Sequence, residues 1–258
     1  MKYNNKLPDD KVNFSQSSAL WDLTWMLSGV FVTIVTIYFL LGYIVKFGVE
    51  HISVKNEQIL FHFLQSKQTK KKSKEELYLQ KLVDNAKKCI KSSYNFNVQI
   101  INSNDINAFA IPGGNIFVTQ KLIKTATSQN EIFFVLAHEI GHFHNRDHLK
   151  GIGRSFVFNS IAFLTGLTDM AGLLNESLSF SESRFSQEQE SQADIFAVEL
   201  MNCYYGHVNG ATDFFKTLPK DKNYNLFASH PKTKNRIKTI EQYIEEKHFH
   251  IKNKIPYI

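Results

Sequence analysis

The sequence predicts an α+β, mainly helical fold with a small sheet, preceded by one transmembrane helix. Three observations carry that expectation. A run at 23–45 holds no charged residue, short β-like runs flank a Pro-Gly-Gly turn, and longer segments repeat apolar residues at helical spacing. The expected organisation is an N-terminal segment (1–22), the transmembrane helix (23–45), a basic juxtamembrane linker (46–74) and a folded domain (75–258).

The run at 23–45, LTWMLSGVFVTIVTIYFLLGYIV, would extend about 34 Å as a helix, enough for a hydrocarbon core of ~30 Å. Trp21, Trp25 and Tyr43 lie near its ends, where amphipathic rings favour the interface. A cleavable signal peptide would have an apolar region of only ~7–15 residues and a small-x-small cleavage site, which is missing. A buried core helix would alternate with polar residues. The run reads as an uncleaved, single-pass anchor, with membrane lipid as a partner.

Charge follows this anchor. The chain carries 30 Lys or Arg and 24 Asp or Glu, and residues 46–91 hold 11 Lys against 5 acidic residues, the whole net excess of +6. Lys6 and Lys11 before the anchor balance Lys46 and Lys55 after it. Lys67, Lys70, Lys71, Lys72 and Lys74 tip the balance towards a cytoplasmic folded domain, beside anionic headgroups. The basic run has no interleaved aromatics, so nucleic acid is not an expected partner. Cys89 and Cys203 fall short of a disulfide framework, and no C-x-x-C pair offers a structural zinc site.

Beyond the linker, EELYLQKLVDNAKKCIKS at 75–92 places Leu79, Leu82, Val83, Ala86 and Ile90 at helical spacing. NVQII at 97–101 and NAFAI at 107–111 are β-like. Pro112-Gly113-Gly114 then marks a turn, and NIFVT at 115–119 returns, which predicts a hairpin.

Ser128 to Glu131 has capping-box spacing and opens a helix reading EIFFVLAHEIGHFHNRDH. Inside it stands His138-Glu139-Ile140-Gly141-His142. At about 100° per residue the two histidines share a face, so both imidazoles can reach one metal ion. Glu139 is placed to contact a water polarised by that metal and to accept its proton during attack on a peptide carbonyl. Catalytic zinc keeps three protein ligands, so one more is needed.

Two readings supply it. In one, His138, His142 and His148 match H-E-x-x-H-x-x-G-x-x-H, with Asn145 in place of Gly and able to adopt a left-handed conformation. In the other, the ligand comes from SQEQESQADIFAVELMNCYYG. There Ala193, Phe196, Ala197, Leu200 and Tyr204 form an apolar face, and Gly206 is a stop. Glu190 and Asp194 lie on or beside that face, where a carboxylate needs a partner such as a metal. Asp194 could then accept the second ring N–H of a zinc-bound histidine.

HEIGH, with ESQAD some fifty residues on, NAFAIPGG before it and SHPKTKNRI after it, resembles the membrane metallopeptidases of the HtpX and CaaX-prenyl-protease type. The order and spacing match over roughly 75–245. The resemblance implies a minimal gluzincin-type zincin domain, zinc-dependent endoproteolysis of protein or peptide substrates, and one zinc ion per chain. It assigns His138, His142 and Glu190 as metal ligands, Glu139 as general base and Asp194 as the partner behind a ligand. Gln187 departs from the arginine often found in S-R-x-x-E-x-x-A-D. The prenyl proteases also have several more spans, so a CaaX substrate is not expected. A single-anchor relative in protein quality control or processing is.

Three further features gain meaning from that resemblance. The hairpin at 107–119 could bind extended substrate along an edge strand. His230, before Pro231, could stabilise an oxyanion or occupy the open zinc position, and the helix it opens would continue through Ile237, Ile240 and Ile244. The apolar stretch at 156–174 is interrupted by Asn159 and Asp169, and its charge-free part is too short to span easily, so it could cover the site or rest on the membrane. The competing reading is a proteolytically inactive, membrane-anchored metal-binding scaffold, against which Glu139 argues, because a purely structural zinc site needs no carboxylate beside its water.

Overall fold

The computed structural model describes residues 18–61, 72–164, 166–170, 172, 185–218 and 234–257. The expectations placed on Lys6, Lys11, Lys67, Lys70, Lys71 and His230 lie outside these residues. Helix α1 runs Ala19–His51, 33 residues, with the Ser18 side chain accepting from the Trp21 N–H as its cap. At ~1.5 Å per residue it is about 50 Å long, and none of its residues is buried. It outruns the charge-free segment at both ends, because nothing at Lys46–Glu50 interrupts helical hydrogen bonding.

Ser53 caps the next helix, α2 (Val54–Leu60). Residues 46–61, expected within a linker, are thus mostly helical, and α2 carries the fully buried Glu57 into the folded domain. Lys72 is likewise engaged, donating to Gln80 Oε1 and to the Val98 carbonyl.

α3 (Lys74–Ala86) begins with a capping box between Ser73 and Glu76 and buries Leu79, Leu82, Val83 and Ala86, the face read from the spacing. A 3₁₀ turn, Lys87–Cys89, ends it, and Ile90 follows in extended backbone. The sheet holds β1 (Asn97–Ile101), β2 (Ala108–Ile111) and β3 (Asn115–Thr119), in the order β1-β3-β2. β2 and β3 form the hairpin, and β1 adds in parallel to β3. Gly113 and Gly114 turn the chain with φ of 89° and 90°, and a Cβ on Gly114 would meet the Asn95 carbonyl at 2.7 Å.

After α4 (Gln120–Thr125), helix α5 (Gln129–His144) runs through the core, buried without interruption from Asn130 to Phe143. Only half of the expected capping box forms: Ser128 accepts from the Glu131 N–H, while the Glu131 carboxylate turns to Thr127 and Thr217. α6 (Asp147–Leu164), α7 (Gln187–Tyr205), α8 (Asp213–Thr217) and α9 (Lys234–Glu246) are the remaining helices among the described residues. Gly206 ends α7 with φ 66°.

α7 packs along α5, α9 packs on α7, and α6 turns back along α1. Residues 156–164 therefore lie in a helix against α1. Ile34, Val35, Leu41, Gly42, Val45 and Val49 of α1 are half-buried at helical spacing. Cys89 and Cys203 form a disulfide joining the end of α3 to α7, a pairing not expected from two cysteines 114 residues apart.

Candidate metal centre

The centre is built where α5 crosses α7. The crossing is close because Gly141 faces Ala193: a Cβ on Gly141 would meet Ala193 Cα at 3.1 Å and its carbonyl oxygen at 3.2 Å. That approach brings Glu190 and Asp194, three before and one after Ala193, against the histidine face of α5.

His138 Nε2 and His142 Nε2 lie 3.1 Å apart. Glu190 Oε2 is 3.6 Å from the first and Oε1 is 3.6 Å from the second. The three side chains are buried, and their ligand atoms lie within 4.8 Å of one another. Two imidazole nitrogens and a carboxylate oxygen are the donor set that a catalytic zinc takes, so the residues fit that ion.

The other ring nitrogens are held from behind. His138 Nδ1 lies 2.9 Å from Asp194 Oδ1, and His142 Nδ1 lies 3.1 Å from Asp147 Oδ2. Protons on both Nδ1 atoms leave both Nε2 lone pairs facing the centre. Burial pushes His138 down to about 4, more than Asp194 raises it, so this imidazole is neutral at pH 7. Burial also lowers His142, but the carboxylates of Asp147 and Glu190 raise it further, so its net shift is upward.

Two residues here were not singled out from the sequence. Asp147 opens α6, just past the turn after α5, and also accepts from Gln189 at 2.8 Å and pairs with Lys150 at 3.2 Å. Arg236 comes from α9. Its Nη1 lies 2.5 Å from Glu190 Oε2, while Nε and Nη2 form a fork on Asp194 at 2.7 and 2.6 Å. Burial raises the Asp194 carboxyl, but Arg236 and His138 pull it below its ordinary value. Gln187 stands in the first turn of α7, and among the described residues Arg236 brings a guanidinium to Glu190 and Asp194 of this helix.

Glu139 is buried and lines a cavity of about 20 Å³ with His138, Arg236, Asn107 and Ala108. That is room for about one water. β2, the strand carrying Ala108, is an edge of the sheet.

His148 is elsewhere. Its Nε2 meets Glu57 Oε1 of α2 at 2.9 Å. Asn145 has φ −82°, and Arg146 takes the left-handed conformation instead at 58°. The Arg146 guanidinium bonds the Ile52 carbonyl at 2.6 Å and Glu57 at 3.2 Å, which helps to hold that conformation.

Residues 73–244 match the model of peptidase family M48. The chain is 27% identical over 166 residues to the mitochondrial metalloendopeptidase OMA1 of Schizosaccharomyces pombe, covering 60% of this chain and 48% of that protein. It is 27% identical over 154 residues to the metalloprotease LoiP of Escherichia coli (56% and 61%), and 26% over 161 residues to the metalloprotease YcaL of that organism (57% and 62%). The matched region thus spans about half to three-fifths of these relatives. With the family model covering two-thirds of the sequence around a buried His-His-Glu group, the chain belongs to peptidase family M48.

Proposed function

We propose that this chain is a membrane-anchored zinc-dependent endopeptidase, with His138, His142 and Glu190 holding the metal and Glu139 acting as general base. The observation that carries the reading is the convergence of those three side chains beside a one-water cavity lined by Glu139. A zinc ion held there would supply Lewis acidity, which lowers the pKa of water towards ~7. Glu139 takes the proton of the attacking water and passes it to the leaving amine. Asp194 and Asp147 fix the tautomers of His138 and His142. An extended peptide added to the edge of β2 would run beside Ala108 and present its carbonyl to the cavity, with sequence-tolerant main-chain hydrogen bonds. Such tolerance suits a role in protein quality control or processing.

α1 supplies the anchor by length and exposed apolar surface. We place the folded domain on an oxidising side of the membrane, because the Cys89–Cys203 disulfide would not persist among cytosolic reductants. This reverses the orientation drawn from the lysine cluster, of which Lys72 is already bound to the domain. The proposed activity is tested with the detergent-solubilised chain and casein. Cleavage should stop with a zinc chelator and return with added zinc. Cleavage that persists through complete metal removal would contradict it.

A further inference from the structure

A groove of about 640 Å³ opens between α1 and α6. Phe39, Gly42, Val45 and Val157 give it an apolar wall, and Lys46, Glu50 and Lys150 line it too. The charges gather at one end. Val45 is the last residue of the uncharged run, Lys46 and Glu50 follow one turn apart on α1, and Lys150 comes from the first turn of α6. The boundary between apolar and charged lining therefore falls where the anchor would leave the hydrocarbon for the headgroups.

Two cations and one carboxylate at the mouth of an apolar groove complement a zwitterion attached to a hydrocarbon chain. Phosphatidylethanolamine has that form: a phosphate for the lysines, a primary ammonium for the glutamate and an acyl chain for the apolar wall. A transmembrane helix of another protein would fill the apolar part but would leave the charged mouth without a counterpart. We infer that the α1–α6 groove is a binding site for phosphatidylethanolamine, with Lys46 and Lys150 on the phosphate and Glu50 on the ammonium. The inference rests on α1 being a membrane anchor. Lys150 also pairs with Asp147, which lies 3.1 Å from His142, so the lipid phosphate is two side chains from the metal centre.

The test uses the full chain in detergent, with native mass spectrometry after adding dioleoyl phosphatidylethanolamine, phosphatidylglycerol or phosphatidylcholine. The wild type should retain phosphatidylethanolamine in preference to the others. Lys46→Gln and Glu50→Gln should each weaken that retention about tenfold, the loss of one charge-assisted contact. A Cβ at Gly42 would meet nothing within 4 Å, so Gly42→Leu should put side chain into the groove without clashing and displace the lipid. Equal retention in all variants, or equal retention of all three lipids, would overturn the proposal. So would a photo-crosslinker at Val157 that captures polypeptide in native membranes and not lipid. Alkaline carbonate extraction separates the two readings. Release of the chain from membranes refutes the anchor and the lipid site together, whereas a carbonate-resistant chain without lipid selectivity refutes only the site.

Discussion

Glu57 Oε1 accepts a hydrogen bond from the Gly113 N–H at 3.0 Å, tying α2 to the turn between β2 and β3. The same carboxylate accepts from the Tyr94 hydroxyl at 2.5 Å and meets His148 and Arg146. One buried side chain thus joins α2, the edge hairpin and the start of α6.

Glu57 should make stability depend on acid. Burial raises its carboxyl, but the hydrogen bond and charge of His148, with Tyr94 and Gly113, pull it down to about 2. Its ordinary value is near 4.3, so its contribution is complete above that pH and is lost as pH falls towards 2, on the order of 3 kcal/mol in all. Glu57→Gln should lower the melting temperature at pH 6 and match the wild type near pH 2. A gap between them that is constant with pH would contradict this.

Metal retention should rank the residues around the centre. Glu190→Ala leaves two imidazoles and should lose zinc on dialysis. Asp147→Asn and Asp194→Asn remove a carboxylate behind a ligand and should weaken zinc by about 10–100-fold. His148→Ala should keep its zinc while losing stability, because it strips Glu57 of a buried partner. Zinc lost from His148→Ala and kept by Glu190→Ala would reverse the ligand assignment.

Gly141→Ala should disturb the centre without touching a ligand. Its Cβ would lie 3.1–3.3 Å from Ala193 atoms, so α7 must shift by a few tenths of an ångström. Overpacking costs ~1–3 kcal/mol, and the better helix propensity of alanine returns up to ~1. Calorimetry should show net destabilisation, with weaker zinc binding. An unchanged melting temperature and zinc affinity would show that the crossing has slack.

The disulfide predicts orientation. Cys203 is exposed and Cys89 half-buried, so thiols there would react with maleimide. In cells opened under maleimide without reductant, neither should label until dithiothreitol is added. Immediate labelling of both would return the domain to the cytoplasmic side.

What was readable in advance followed the range of the signal. His138 and His142 are one helical turn apart, so their shared face needs no tertiary information. Glu190 and Asp194 stood out because carboxylates on an apolar face demand partners. Asp147 lies beyond a turn whose left-handed residue is Arg146, not Asn145, and no local pattern marks that. Arg236 reaches Asp194 across 42 residues. Glu57 falls within the stretch read as a basic linker, and its partners Tyr94, Gly113 and His148 are brought to it only by folding. The hairpin was visible in its turn residues, whereas the parallel pairing of β1 with β3 depends on a crossover that turn chemistry does not encode.

Glu139→Gln offers the most direct test, because it removes the proposed base while keeping shape and every metal ligand. Purified in detergent, the variant should hold one zinc per chain like the wild type, and its casein cleavage should fall by about 10²–10⁴-fold. Proteolysis equal to the wild type, at equal zinc content, would contradict the account.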